Sequence, residues 1–467
     1  MPDDLTIPAP ATGPAPDVPV TAVTVASRLE RLPWCRVQRS LFLVIATAWF
    51  FDSIDLGAMT FLLSPISHHF GLSAAQTGVL GSASFAGMFV GAIGAGAIAD
   101  RFGRQRVFKY SIVVWGLASI GLALAWNVES LITFRFLLGI GMGAEFPVAA
   151  AILAEFMPAS KRGRYAALLE GAWPLGFITA GAVAYVLVAT SLGWRGFFAM
   201  QAVLAVIALI VRRNLPESPR WLASRGHTAQ AHHTLTRIED EVRAATGRAL
   251  PEPAPVPGAH VESTERGGLR ALLSPAHRVR TLTVWAVWFC LMTGYYGLTT
   301  WIGKLLTDGG LDVAKSIGFV LGMALWGIPG FLSAAYLIER LGRRFCLAGY
   351  TVGAGVAAYF YGQSAGTLEL IVAGSFLQFF FFFGMFSAIF AYTPELFATR
   401  SRAAGVGSST ALGRLGSVFG PIAVPALLAA GGTSLVFSTS AVLFAIGALI
   451  VITRLPETKN SVLEQLW

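Results

Sequence analysis

Five ionisable residues stand inside long apolar stretches. Asp52 and Asp55 lie in "WFFDSIDLG", Arg135 and Glu145 in "RFLLGIGMGAEFPV", and Arg414 in "ALGRLGSVFGP". Each costs about 2.5–3.5 kcal/mol at the centre of a membrane helix, so chemistry is the first explanation to test. Asp52 and Asp55 are three apart and share roughly one helix face. Glu145 follows Arg135 by ten residues, roughly 15 Å along a helix. Three acids face two bases. If Asp55 pairs with Arg135 and a second acid with Arg414, one carboxylate is left over, and a buried unpaired carboxylate takes up a proton. Asp55 lies further out along its segment than Asp52, and Arg135 is in the outer third of its own, so these two form the expected pair. That ranks Asp52 and Glu145 above Asp55 as proton carriers. Arg414 cannot lose its charge and must meet an anion, either a ligand carboxylate or an acid such as Glu145. Gly413 and Gly416 beside it let a ligand or a helix come close. The plainer readings are a fixed Asp55–Arg135 bridge, Asp52 lining a wet vestibule, and Glu145 bracing the Gly-rich turn.

Aromatic side chains supply flat surfaces near these charges: Trp173, Tyr295, Tyr296, Trp301, Trp326 and the run Phe379–Phe383. Most of the Phe run must face lipid or other helices, because consecutive residues point all round a helix. Tyr295 and Tyr296 sit between Gly294 and Gly297, where a helix break would line a pocket. With Trp173, Trp326, Gln378 and Arg414 they form the expected substrate-binding set. His68 and His69 read as surface groups at the outer end of the first apolar stretch.

Only 13% of the 467 residues are charged and 55% are hydrophobic, with a mean hydropathy of +0.65. A soluble domain carries about 25% charged residues, so a lipid-facing exterior explains the shortfall. About twelve spans meet the length needed to cross a bilayer. They lie near 38–66, 74–99, 107–125, 129–156, 164–190, 194–213, 280–305, 314–339, 344–362, 367–393, 402–430 and 432–454. Arg101, Arg104, Arg106 and Lys109 follow the second span, Lys161, Arg162 and Arg164 the fourth, Arg340, Arg343 and Arg344 the eighth, and Arg400 and Arg402 the tenth. The opposite loops "SPISHHFGLSAAQ" and "AWNVES" carry no Lys or Arg, with Lys304 and Lys315 the exceptions on that side. The positive-inside rule then puts both termini in the cytoplasm. The expected division is a cytoplasmic tail (1–37, Pro-rich and disordered over its first 20 residues), a six-helix bundle (38–213), a central cytoplasmic loop (214–279), a second bundle (280–454) and a tail (455–467).

The two halves echo each other. "ADRFGRQR" after the second span matches "IERLGRRF" after the eighth, "LPESPR" matches "LPETKN", and "AEFMPASKRGR" matches "PELFATRSRAAG". Pro216 and Pro456, Glu155 and Glu395, and Asp100 and Glu339 are separated by the same interval to within one position. Paired bundles of this kind are a transporter architecture with the substrate between them.

With these motifs, over nearly all of 38–460, the chain resembles a major facilitator superfamily transporter. It is most similar to the sugar-porter-like branch, which includes aromatic-acid:proton symporters, metabolite and niacin-type transporters, synaptic-vesicle-2-like proteins and organic-ion carriers. Asp52-x-x-Asp55 resembles the Asp-Gly-x-Asp motif of the aromatic-acid symporters, with Ser53 in place of Gly, while "AEFPV" departs from that pattern. The resemblance implies an all-α membrane protein of twelve transmembrane helices in two pseudo-symmetric six-helix bundles. It also implies an inner gate in which Asp100, Arg101 and Arg104 hold the halves together on the cytosolic side. Gly103 allows the tight turn there. Glu155, Arg164, Glu339, Arg343, Glu395 and Arg402 are expected in the same networks, and Glu217, Arg220 and Glu457 as latches.

The expected function is proton-coupled symport of a small organic acid, aromatic or heterocyclic, by alternating access across the inner membrane. Arg414 would hold the carboxylate, and Asp52, Asp55 or Glu145 the proton. A carrier for sugars or organic cations, or an exporter, is the alternative within transport. A membrane sensor or scaffold leaves the buried charges unexplained. Partners are the substrate, protons and the bilayer, with a monomer and no nucleic acid expected. The sequence carries no nucleophile elbow or phosphate loop, and the scattered Cys35, Cys290 and Cys346 give no metal spacing, so no cofactor and no enzyme activity are expected.

Overall fold

The computed structural model describes residues 22–33, 36–156, 169, 171–213, 215–253, 272–275, 277–397 and 401–459, and among these there is no strand. The helices are α1 (Ala22–Glu30), α2 (Arg36–Phe70), α3 (Ala74–Phe102), α4 (Arg104–Ala123), α5 (Val128–Phe156), α6 (Ala172–Val188), α7 (Gly193–Arg212), α8 (Pro219–Ser224), α9 (Thr228–Thr246), α10 (Arg278–Asp308), α11 (Val313–Ala324), α12 (Gly327–Leu341), α13 (Arg343–Gln363), α14 (Thr367–Gln378), α15 (Met385–Tyr392) and α16 (Arg402–Arg454). A π-helical turn, Phe379–Gly384, joins α14 to α15.

Local chemistry sets the boundaries. Ser73 and Gln76 form a reciprocal capping box that starts α3. Gly103, at φ +104°, turns the chain so that α4 begins at once, and Gly342, at φ +96°, does the same between α12 and α13. Both turns are held alike. Glu217 accepts the N–H groups of Arg104 at 3.1 Å and Gln105 at 3.2 Å, and Glu457 accepts those of Arg343 at 2.9 Å and Arg344 at 3.2 Å. Each carboxylate thus fills two open donors at a helix start. The repeated motifs are one turn built twice.

The span rich in Gly is explained by close packing. A Cβ at Gly139 would stand 2.1 Å from the Ser84 carbonyl oxygen, and one at Gly87 2.0 Å from that of Phe136, so α3 and α5 touch backbone to backbone. Large apolar side chains such as Ile93, Leu117, Val186, Val203, Phe360 and Leu449 point outward, as a lipid-facing exterior requires.

Among the described residues, eight helical stretches are long and apolar enough to cross a membrane, against the twelve expected. One is Ala404–Arg454, 51 residues long and interrupted by non-helical backbone at Gly431 and Gly432. α6 is apolar but only 17 residues long. α10 is not among the eight; Thr293, Tyr295, Tyr296, Thr299 and Thr300 dilute its middle. α13 also falls outside, with Tyr350, Thr351, Tyr359 and Tyr361 in its length.

Two segments expected to be loop or tail carry structure. Residues 1–20, expected to be disordered, lie outside the described residues, but Ala22–Glu30 of that tail form α1, with Val25 and Leu29 buried and Leu32 just beyond it. Helices α8 and α9 fold within the central loop, and α1 docks on them. Arg28 and Arg31 donate to the Glu239 carboxylate at 2.9 and 2.8 Å, and Arg220 pairs with Glu30 at 3.3 Å.

Candidate functional site

The middle of α2 holds the site. Asp55 and Arg135 are 0% exposed and meet at 3.0 Å. Arg135 also donates to the Ser84 hydroxyl at 2.6 Å, and the Gln201 amide donates to Asp55 at 3.1 Å. One buried pair thus ties α2, α3, α5 and α7 together. Removing either partner would leave the other charge uncompensated, at a cost of about 3–5 kcal/mol.

Glu145 finds a partner that the sequence reading missed. Arg212, the last residue of α7, grips it with both terminal nitrogens, at 2.6 and 3.1 Å. The Ser111 hydroxyl donates to the same carboxylate at 3.3 Å. Arg212 also donates to the Phe108 carbonyl at 3.0 Å and lies 4.0 Å from the centre of the Phe108 ring. The contact with Glu145 is bidentate and fully buried, the stronger form of a charged hydrogen bond. The expectation that Glu145 lacks an assigned partner is corrected by this pair.

Asp52 is different. It is 3% exposed, and its Oδ2 is buried with no hydrogen-bond partner. The charged groups that act on it are Glu145, Arg212, Asp55 and Arg414. Next to it, Ser53 donates to the Trp173 carbonyl at 2.6 Å and so joins α2 to α6.

Arg414 reaches this region from α16. Its guanidinium lies 5.3 Å from the centre of the Phe146 ring and faces the Tyr296 hydroxyl. Among the described residues no carboxylate forms an ion pair with it. Aromatic rings flank it on both sides. Phe146 packs against Trp49 at 4.8 Å and Trp173 at 5.9 Å. Tyr296 packs against Phe85 at 4.4 Å and Tyr295 at 4.7 Å, and Tyr295 against Phe381 and Phe386 at 4.5 Å each. Tyr295, Tyr296 and Trp173 are therefore brought together, along with Phe146, which sequence reading did not single out. Gln378 is buried with its amide oxygen unpartnered, just before the π-helical turn. Trp326 stands apart: it is 54% exposed at the break between α11 and α12.

At the end of the bundle where α2 meets α3, the halves touch. Ser82 donates to the Val418 carbonyl at 2.8 Å, and a Cβ on Gly303 would stand 2.3 Å from the Thr60 carbonyl oxygen. At the opposite end Arg104 pairs with Glu155 within the first half at 3.1 Å, and Arg343 pairs with Glu395 at 3.2 Å and Glu339 at 3.3 Å within the second. Arg101 lies beside the Phe102 ring, and Arg402 donates to the Phe397 carbonyl. Arg164 and the Asp100 side chain lie outside the described residues.

The sequence profile of the Sugar (and other) transporter family matches residues 43–466. The niacin transporter NiaP of Acinetobacter baylyi is 34% identical over 444 residues, covering 95% of this chain and 99% of that protein. The 4-hydroxybenzoate transporter PcaK of Pseudomonas putida is 30% identical over 423 residues, covering 88% and 90%. The crystal structure of a D-xylose-proton symporter superposes with a TM-score of 0.72 over 90% of this chain and 98% of that one, at 18% identity, which speaks for the fold alone. Paired helical motifs, buried charges and full-length relatives agree: the chain belongs to the Sugar (and other) transporter family of the major facilitator superfamily and is a multi-pass membrane transporter, not an enzyme.

Proposed function

We propose that this transporter is a proton-driven symporter for a small aromatic or heterocyclic monocarboxylate. The observation that carries this reading is Arg414, a permanent cation with no ion-paired acid among the described residues, set between aromatic rings of both halves. A planar guanidinium binds a carboxylate with two parallel hydrogen bonds. The rings of Phe146, Tyr295 and Tyr296 offer faces to a flat ligand. Asp52 supplies the proton site, because its buried oxygen lacks a partner while Asp55 and Glu145 each have one. The relatives named for niacin and 4-hydroxybenzoate, both aromatic acids, support the same class. Trp326 faces away from this cluster and is not included in the proposed pocket.

Alternating access needs two bundles. We infer twelve crossings in two halves, 38–213 and 280–454, joined by the loop 214–279, with the tails 1–37 and 455–467 and both termini in the cytoplasm of a monomer in the inner membrane. The eight apolar stretches become twelve when α16 counts twice at its Gly431–Gly432 break and α6, α10 and α13 are added. In that orientation the touching end faces outward, and the motif loops lie on the inner side. The inner ion pairs then belong to the gate that joins the halves when the carrier faces outward.

A second reading has one observation in its favour: the unpartnered oxygen of Asp52 would also suit an amine, as in a cation carrier. Thermal-shift titration of the purified protein separates the two, because a ligand that binds only the folded state raises its stability by about 2.7 kcal/mol at a hundredfold excess over Kd. Stabilisation by niacin and 4-hydroxybenzoate, but not by nicotinamide, xylose or tetraethylammonium, is expected. Stabilisation by the amine or the sugar alone would overturn the reading.

A further inference from the structure

Arg135, Arg212 and Arg414 all reach into the bundles, and they are held in two ways. Arg135 meets Asp55 at 3.0 Å and Arg212 meets Glu145 at 2.6 Å, so each of these charges is matched by an acid. Arg414 meets a ring. Its guanidinium carbon lies 5.3 Å from the centre of the Phe146 ring, inside the roughly 6 Å reach of a cation–π contact. This contact crosses between the halves, from α16 to α5. A carboxylate at position 146 would match the Arg414 charge as Asp55 matches that of Arg135. A ring attracts the cation with its negative face and leaves its hydrogen-bond donors to others.

Phe146 stands on a helix whose rotation and depth are fixed at two levels. Through Arg135, α5 is tied to Asp55 of α2 and Ser84 of α3. Through Glu145, the neighbour of Phe146, it is tied to Arg212 of α7 and Ser111 of α4. A Cβ on Gly143 would stand 2.1 Å from the Met88 carbonyl oxygen, so the same stretch lies flush against α3. The ring itself is wedged between Trp49 at 4.8 Å and Trp173 at 5.9 Å, and the Trp173 carbonyl accepts the Ser53 hydroxyl at 2.6 Å. The first half therefore sets where the ring is. The Tyr296 hydroxyl, which Arg414 also faces, belongs to the same half as Arg414. Phe146 is the partner that Arg414 meets across the divide as the halves come together.

A symporter completes each cycle by returning empty, and that return closes the site around Arg414 with no ligand carboxylate to meet it. Closure strips water from the guanidinium, and a bare charge in a dry interior is costly. An acid would remove that cost but would also compete with the ligand for the fork. We propose that Phe146 shelters the Arg414 charge while the empty carrier returns, and yields it to the ligand carboxylate in the loaded carrier. This rests on the organic-acid symport reading above and adds the residue that serves the empty limb of the cycle. In that limb Phe146 is a positioning residue, acting through Arg414.

The test uses the full-length protein in proteoliposomes with labelled niacin. It compares net uptake under a proton gradient, which needs the empty return, with counterflow at equal pH, in which only the loaded carrier crosses. Phe146 is replaced by trifluorophenylalanine, which keeps the shape of the ring and cancels its negative face. Net uptake is expected to slow roughly three- to thirtyfold, the span of a cation–π contact expressed as a rate, while counterflow stays within about twofold. Phe146→Tyr keeps the negative face and should take up niacin within about twofold of wild type. Unchanged net uptake in the fluorinated protein would overturn the proposal. So would equal losses of uptake and counterflow, which would make Phe146 a ligand contact alone. If the fluorinated protein inserts poorly, Phe146→Leu gives the same reading through the ratio of uptake to counterflow, which is independent of protein amount: that ratio should fall, and an unchanged ratio would contradict the proposal. Wild type that neither accumulates nor exchanges niacin would instead overturn the symport reading itself, and this inference with it.

Discussion

Asp55 and Arg135 meet at 3.0 Å with neither side chain exposed, and their pair joins four helices of the first half. Breaking such a pair costs about 3–5 kcal/mol because a charge is left in a dry interior, whereas removing both charges costs far less. Asp55→Ala and Arg135→Ala should each lower the midpoint of thermal unfolding in detergent by many degrees. The double variant Asp55→Asn with Arg135→Gln should recover most of the loss. Additive losses in the double variant would show that the two do not act as a pair.

Arg414 should be essential for anion binding and dispensable for folding. Replacing it with Ala removes charged hydrogen bonds of about 1.5–3 kcal/mol, a loss of roughly ten- to a hundredfold in affinity for niacin. Lys should recover little, since a point charge lacks the planar fork. Calorimetry with the folded variants decides it, and wild-type affinity in the Ala variant would remove Arg414 from the site.

The turn at Gly103 should govern cycling rather than binding. A Cβ there would stand 2.3 Å from a Glu217 carboxylate oxygen, at a backbone φ of +104° that side chains rarely adopt. Gly103→Val should displace the Glu217 cap from the start of α4 and slow transport at least tenfold while leaving ligand affinity in detergent within about threefold. The Gly342→Val variant should behave alike, because Glu457 fills the same role there. Equal losses of binding and transport would contradict a gate function.

Docking of α1 should depend on pH. Burial alone would push the Glu239 carboxyl up, but hydrogen bonds from Arg28 and Arg31 outweigh it and hold the group below the ordinary range. A carboxyl depressed in the folded state contributes stability above its unfolded value, about 4.3, and loses that contribution as pH falls through the folded value. Amide exchange over 22–30, corrected for its intrinsic rate, should therefore be slow at neutral pH and speed up in acid. Glu239→Gln should speed it at pH 7. Protection that ignores both changes would show that α1 is held by Val25 and Leu29 alone.

Much of this site was legible because sign and depth are written in the sequence. Asp55 and Arg135 are charges at matching depth in apolar segments, and they pair. Arg212 was not legible. "VRRN" at the end of an apolar stretch reads as a basic flank, and only helix rotation separates Arg212, turned inward and buried, from Arg213, which is exposed. The surplus of acids over bases was the signal that a further cation was needed. Helix α1 was hidden by the Pro-rich run before it, although Val25, Leu29 and Leu32 carry a helical spacing. Trp326 shows the limit on aromatics: residue type gives no rotation about a helix axis, and this ring points out of the bundle. Among the described residues, eight apolar stretches rather than twelve are found because α10 and α13 place polar residues in their middles, α6 is described over only 17 residues, and one stretch runs through the Gly431–Gly432 break.

The central claim is that Asp52 carries the proton that drives uptake of an aromatic acid. It is tested most directly by comparing niacin accumulation under an inward proton gradient with niacin counterflow at equal pH, in proteoliposomes of wild type and Asp52→Asn. Asn mimics the protonated acid, so the loaded carrier still switches. The account predicts that wild type does both, while Asp52→Asn keeps counterflow and loses gradient-driven accumulation with its proton flux. Gradient-driven accumulation in Asp52→Asn at the wild-type level would contradict it.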